Sequence, residues 1–265
     1  MKELPKLPRA PLIFASLELR FSSMLSREFL TQTFDAANEK AWKSYRPYAA
    51  GYQKRSVWNT EKDKNDNQRI RFLLLTNAER NRSLTIGQDY CALTTQQYNQ
   101  FADFFDEFRE LTHLAFSEET RSHLSIKEIR LRYVDVFREI DDVPVVKLID
   151  GNFFDLKKFQ HFNVAQFAFE KSFGPNIVSG VLFGCKKNAT KRIPLETRPT
   201  GLTNEDFEIT REDVLFDYTA RRLFESDSMK TFEEIDSYVK ETHNAAERFF
   251  LECVSEIAIS KWSCE

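Results

Sequence analysis

The stretch Leu124–Ile140, LSIKEIRLRYVDVFREI, decides the fold. Counted in twos, Ile129, Leu131, Tyr133, Asp135 and Phe137 fall on one face, while Glu128, Arg130, Arg132, Val134 and Val136 fall on the other. That is the period of a β-strand. The first face is core with one carboxylate among its rings, and the second changes from charged to apolar along its length. A buried carboxylate without partners is costly, so Asp135 is expected to accept hydrogen bonds or to pair with an arginine or a tyrosine.

The segment Pro11–Phe21 has the same build, with Ile13, Ala15, Leu17, Leu19 and Phe21 on one face and Leu12, Phe14, Ser16, Glu18 and Arg20 on the other. Its mixed face runs from apolar to charged. An antiparallel pairing with the first stretch sets Leu12 and Phe14 near Val134 and Val136, and Glu18 and Arg20 near Glu128, Arg130 and Arg132. A parallel pairing mismatches them. Two adjacent antiparallel strands are therefore predicted, with Glu18 paired to Arg130 or Arg132.

Outward from this pair, the sequence predicts a Pro-bearing arm over residues 1–10 and a helix capped by Ser26 and running to about Trp42. Strands follow at Gln53–Trp58, Arg69–Thr76, Arg82–Ile86 and Tyr90–Leu93, with Asn59–Gln68 as a loop. Thr94 and Gln97 have capping-box spacing, which predicts a helix from there to about Phe116 with Phe101, Phe104, Phe108, Leu111 and Ala115 on its apolar stripe. This first half reads as a ferredoxin-like unit with an added hairpin.

Asp141-Asp142-Val143-Pro144 marks the expected boundary between an N-terminal α+β lobe, 1–142, and a C-terminal lobe, 143–265, packed tightly enough to form one domain. In the second lobe a short helix or loop is expected at Phe153–Phe162. An antiparallel meander is expected at Val164–Lys171, Ile177–Lys186, Thr190–Leu195 and Val214–Arg221, with Thr197–Asp213 as a loop. A second capping box, Thr231 with Glu234, predicts one long helix to about Trp262. The fold class is α+β, built of antiparallel sheets with packed helices.

The 265 residues carry a formal net charge of −3, with 25 Phe against 7 Gly. There is no global basic field for nucleic acid or an anionic membrane, and there are no Gly-rich phosphate loops. Cys91, Cys185, Cys253 and Cys264 show no CxxC spacing, which suits reduced thiols. Neither an apolar run of membrane-spanning length nor a signal-peptide core occurs, so a cytoplasmic location is expected, without membrane contact.

Ala10-Pro11-Leu12 with Glu18, Arg20 and Phe21, Tyr98 followed by Phe101, Ile129-Arg130-Leu131-Arg132-Tyr133, and His243 followed by Phe249 or Phe250 resemble the pattern of a sporadically distributed bacterial family of uncharacterised proteins of about this length. That family usually has Asn where this chain has Asp135, and its C-terminal turn differs from Ser255–Trp262. The resemblance implies a fold and a sporadic occurrence of the kind seen in antiviral-defence and toxin–antitoxin loci. It implies no catalytic residues.

The chemistry-bearing residues form no recognised catalytic set. His113, His123, His161 and His243 lack metal-site spacing; His243 with Glu247 is an i,i+4 pair that could share a metal, although a plain helix-face contact is the simpler reading. Glu212, Asp213 and Asp217 sit near a strand start, as nuclease carboxylates can, and solvent exposure is the alternative. The basic clusters are Arg69 and Arg71 with Arg80 and Arg82 around one hairpin, and Lys186, Lys187, Lys191 and Arg192 at another. They could meet phosphate, or only keep hairpin tips soluble.

The leading expectation is a non-enzymatic, protein-binding accessory, sensor or neutralising component of such a defence or toxin–antitoxin system, using no cofactor and no metal. Its partner would be the product of a neighbouring gene or a second copy of the chain, docked on Phe250, Val254 and Trp262, which widen the apolar stripe of the last helix. The alternative is a nucleic-acid-binding or metal-dependent nucleolytic component.

Overall fold

The computed structural model describes residues 11–39, 42, 45–59, 64–151, 164–185, 190–194, 200–202, 206–210 and 213–263. The Pro-bearing arm, Phe153–Phe162, Lys186 and Lys187 lie outside them. The two diagnostic stretches become β1, Leu12–Phe21, and β6, Ile126–Phe137, paired antiparallel with Glu18 opposite Arg130 and Arg20 opposite Glu128. The register is the one the graded faces dictate.

Around them lie α1 (Arg27–Glu39), β2 (Arg46–Asn59), β3 (Lys64–Thr76), β4 (Arg82–Gly87), β5 (Tyr90–Thr95), α2 (Phe101–Ala115) and α3 (Glu118–His123). Then follow β7 (Val164–Phe173), β8 (Asn176–Cys185), β9 (Thr190–Pro194), β10 (Asp206–Thr210), β11 (Val214–Leu223), α4 (Asp236–Cys253) and α5 (Glu256–Ser263). Nine strands form one antiparallel sheet in the order β2-β3-β4-β5-β1-β6-β11-β8-β7, and β9 with β10 makes a separate pair. The α+β class and the antiparallel strands match the sequence reading. The finer ferredoxin-like comparison is not carried by this order, in which β1 is antiparallel to both of its neighbours. The sheet continues across the expected boundary at 142, because β6 pairs with β11 over ten positions.

All the long helices pack on the face of Ala15, Leu17, Leu19 and Phe21. Phe21 meets Phe116 and Phe232, and Phe216 and Tyr218 meet Phe249 and Phe250, with ring centroids 4.7–6.4 Å apart across these contacts and between Phe216 and Tyr218. Burying this many rings is the main source of cohesion. Gly180 on β8 is required by close approach, since a Cβ there would lie 2.2 Å from the Asp217 carbonyl oxygen and 2.7 Å from the Tyr218 Cα. Gly174, with φ at +61°, turns β7 into β8.

Five local expectations differ from the structure. Thr94 does not cap a helix: it lies within β5, and its hydroxyl bonds Ser83 on β4 at 2.6 Å, so α2 starts later, at Phe101. Thr231 and Glu234 close on each other, the Glu234 carboxylate accepting from the Thr231 amide at 2.9 Å, but in a turn ahead of α4. The single long helix is broken at Val254, which adopts extended backbone and bridges Ile149; Ser255 then caps α5 by accepting from the Ala258 amide at 3.2 Å. Finally, strand rather than loop begins at Lys64, and β10 occupies part of the expected loop Thr197–Asp213.

Candidate functional site

A set of titratable side chains on the helix-covered face is assembled from four elements. Tyr133 and Asp135 stand two apart on β6, Tyr218 comes from the adjacent β11, Tyr98 from the segment before α2, and His243 and Glu247 from successive turns of α4. The Tyr133 hydroxyl lies 2.9 Å from His243 Nδ1, and His243 Nε2 lies 3.6 Å from the Glu247 carboxylate. The imidazole N–H is best placed on Nε2, toward that carboxylate, so that Nδ1 accepts from Tyr133. Tyr98 is hydrogen-bonded to Tyr133, and Phe101 stacks on His243 with centroids 3.8 Å apart.

Burial sets the protonation of the group. It lowers His243 to about 4, so the ring is neutral at pH 7. It lifts Asp135 well above the ordinary carboxylate range, opposed only by the hydrogen bond from Tyr218, and it lifts Tyr98, Tyr133 and Tyr218 as well. Asp135 Oδ2 is buried without a hydrogen-bond partner, while Tyr218 serves the other side of the group. The Tyr133–His243 and Tyr98–Tyr133 hydrogen bonds pin α4 and the Tyr98 segment to the sheet, with the partly exposed Glu247 beside the imidazole. Burial also raises the Cys91 and Cys253 thiols, which makes both poor nucleophiles.

On the opposite face, β1, β6 and β11 carry a row of ion pairs. Arg20 Nε lies 2.6 Å from Glu18 and 3.7 Å from Glu128, Arg130 Nε reaches Glu128 at 2.5 Å, and Arg132 grips Asp217 with two nitrogens at 2.8 Å each. Glu18 thus faces Arg130 in register while its short contact is with Arg20 on its own strand. Asp217, a candidate nuclease carboxylate, is committed to Arg132. Asp213 is buried beside Arg138 at 3.6 Å, and Glu212 lies outside the described residues.

Phe250, Val254 and Trp262, expected to dock a partner, are buried within the chain itself, with Trp262 stacked on Phe137 and Phe250. The correction follows from the helix break at Val254, which turns α5 so that Trp262 packs back on β6. Arg69 is exposed and Arg71 half-exposed on β3, whereas Lys191 and Arg192 occupy register positions opposite Ile209 and Glu208 on β10. A cleft of about 170 Å³ between α2 and the start of α4, floored by Phe105, Phe108 and Phe232, is smaller than usual ligand pockets.

Among the described residues no three or more His, Cys, Asp or Glu are grouped to hold a metal, and no helix is long and apolar enough to cross a membrane. Among the described residues the sheet ends in two edge strands, β2 and β7, each paired on one side only. Along β7, Gln166, Ala168, Glu170 and Ser172 are exposed while Phe167, Phe169 and Phe173 are half-buried. No protein-family model matches the chain, and no curated protein matches it.

The sequence reading missed the Tyr133–His243 contact. Its signal was present, since Tyr133 lay on the core face and the late helix carried His243 one turn before Glu247, but nothing in the spacing could bring residues 110 positions apart together.

Proposed function

We propose that this chain is a non-enzymatic, protein-binding component that recruits its partner by strand addition at β7. The observation that carries this reading is the edge itself: ten residues, Val164–Phe173, without proline and with a single lysine, ladder-paired among the described residues to β8 alone. An edge of this length offers a row of backbone donors and acceptors to an incoming strand, and proteins that do not use such an edge usually blunt it. The half-buried Phe167, Phe169 and Phe173 supply the alternate apolar positions that a partner strand would extend. The engagement of His243 by Tyr133 and of Asp217 by Arg132 supports a structural rather than catalytic use of the groups that chemistry would need. The assignment to an accessory, sensor or neutralising role in a bacterial antiviral-defence or toxin–antitoxin system follows from the family resemblance.

Co-expression with the products of neighbouring genes, followed by affinity capture and light scattering, tests it. A stoichiometric complex is expected, and it should be lost when the exposed Ala168 and Ser172 are both changed to Lys, with the melting temperature unchanged. A symmetric dimer through two copies of β7, abolished by the same pair, would make the partner a second copy. A complex indifferent to both substitutions would move the interface elsewhere.

A further inference from the structure

On the sheet face away from the helices, Thr219 of β11 is flanked by three arginines. Arg132 of β6 stands directly opposite it, Arg130 lies one diagonal away, and Arg221 follows two residues along its own strand. Arg130 and Arg221 are themselves directly opposed, and Ser179 of β8 faces Thr219 on the other side. Like charges opposite each other on an antiparallel ladder are unfavourable, and a chain with a formal net charge of −3 has no general surplus of cations to account for them.

The neighbouring carboxylates do not cancel this group. Among the described residues, β1, β6 and β11 present Arg20, Arg130, Arg132 and Arg221 on this face against Glu18, Glu128 and Asp217. Asp217 is taken up by Arg132, and Glu128 is shared between Arg20 and Arg130. Arg221 is left with Glu170 of β7, a 63% exposed carboxylate 3.6 Å from Nη2, and its Nε is buried with no hydrogen-bond partner. The Arg130 and Arg221 side chains are 33% and 30% exposed, so both guanidiniums can be reached from solvent.

We propose that Arg130, Arg221, Thr219 and Ser179 bind the phosphate group of a small phosphomonoester. The two guanidiniums supply forked donors and the two hydroxyls supply one each. Arg132, held by Asp217 and lying over the Phe14 ring, adds its positive field from a fixed position. A monoester carries about −1.5 to −2 at pH 7 on three terminal oxygens, enough to accept from all four side chains, whereas a carboxylate offers one charge and two oxygens. An oxyanion between Arg130 and Arg221 turns their repulsion into a shared attraction. A nucleic-acid strand fits less well, because its bases need aromatic platforms and hydroxyls stand beside these arginines instead. The group lies on β6, β11 and β8 and uses none of the backbone edge of β7, so either site can fail without the other.

The test is isothermal titration of the full chain, in phosphate-free buffer at low salt, with inorganic phosphate and with phenyl phosphate, and with acetate as the monoanion control. Saturable binding of both phosphates is expected, weaker as sodium chloride is raised and weaker at pH 5 than at pH 7.5, where the second proton has left. Arg221→Gln and Arg130→Gln should each weaken it about tenfold or more, as loss of a hydrogen bond to a charged group does. Thr219→Val, which keeps the shape and every charge, should weaken it about threefold or more. Arg109→Gln, on α2, should leave it unchanged. Circular dichroism melts check folding, and a Gln variant that melts well below the parent is replaced by Arg221→Lys, which keeps the charge but loses the fork and should still bind more weakly than the parent. The proposal is overturned if phenyl phosphate does not bind saturably, if acetate binds as tightly, or if the folded arginine variants bind like the parent.

Discussion

The ring of Phe101 lies 3.8 Å from that of His243 and is tilted from it by only 9°. Together with the Tyr133 hydroxyl at Nδ1, this contact takes the imidazole out of water on one side and gives it a hydrogen bond on the other. A neutral ring suits both partners, and a charged one must be desolvated to keep them.

The first prediction concerns acid stability. Because burial lowers His243 from 6.5 to about 4, the folded protein binds fewer protons there than the unfolded chain does. Its contribution is present above pH 6.5 and is lost as pH falls from there toward 4, with a ceiling of about 3 kcal/mol. The Glu247 carboxylate, 3.6 Å away, offsets part of that loss. Chemical denaturation at pH 7 and pH 4.5 should show a smaller difference for His243→Gln than for the parent; equal differences would mean the ring charges freely in the folded state.

Asp135 has the opposite sign. Its folded pKa is raised, chiefly by burial, so the folded state favours the protonated acid. That preference is fully present below the unfolded value near 3.8 and is lost as pH rises toward the folded one. Asn cannot ionise and retains an acceptor for Tyr218. Asp135→Asn should therefore gain stability over the parent, by a margin that grows as pH rises above about 4, whereas Asp135→Ala should cost about 1–3 kcal/mol by leaving the Tyr218 hydroxyl unpaired. A margin that does not change with pH would show that Asp135 ionises as easily inside as outside.

These contacts show what the sequence could and could not disclose. The alternation in β1 and β6 encodes faces and register, because a one-residue slip would turn Leu17 and Leu131 to the wrong side. It also marks Asp135 as a buried carboxylate. Helix ends were less legible: Thr94 has the residue type of a cap, but Ser83 on β4 offers it a tertiary hydrogen bond, and the strand wins. The break at Val254 depends on Ile149, over a hundred residues away, and no local pattern carries that. The outer pairing of β2 with β3 was hidden because the polar run Asn59–Gln68 reads as a loop until Lys64–Gln68 is seen to pair with β2.

The third prediction addresses the nuclease reading of Asp217. Arg132 holds it with two nitrogens at 2.8 Å, and both side chains are about a fifth exposed. Such a bidentate, partly buried pair should show coupling of about 1–2 kcal/mol in a double-mutant cycle of Arg132→Ala and Asp217→Ala, measured by denaturant unfolding. Additive losses would mean that the carboxylate is not held for stability and would return it to the pool of chemical candidates.

The fourth prediction separates packing from docking at the C-terminus. Trp262 is 2% exposed, and its ring stacks on Phe137 at 5.6 Å and on Phe250 at 5.9 Å. Placing a carboxylate there removes the ring contacts and buries a charge among the rings of Phe137 and Phe250. Trp262→Glu should therefore destabilise the monomer by about 3–5 kcal/mol, the usual cost of deleting a buried aromatic ring, and should lower the melting temperature accordingly. Light scattering should show no loss of a specific oligomer beyond what partial unfolding causes. If instead the variant melted like the parent and only changed its mass in solution, Trp262 would face another chain, and the packing of α5 on β6 would have to be abandoned.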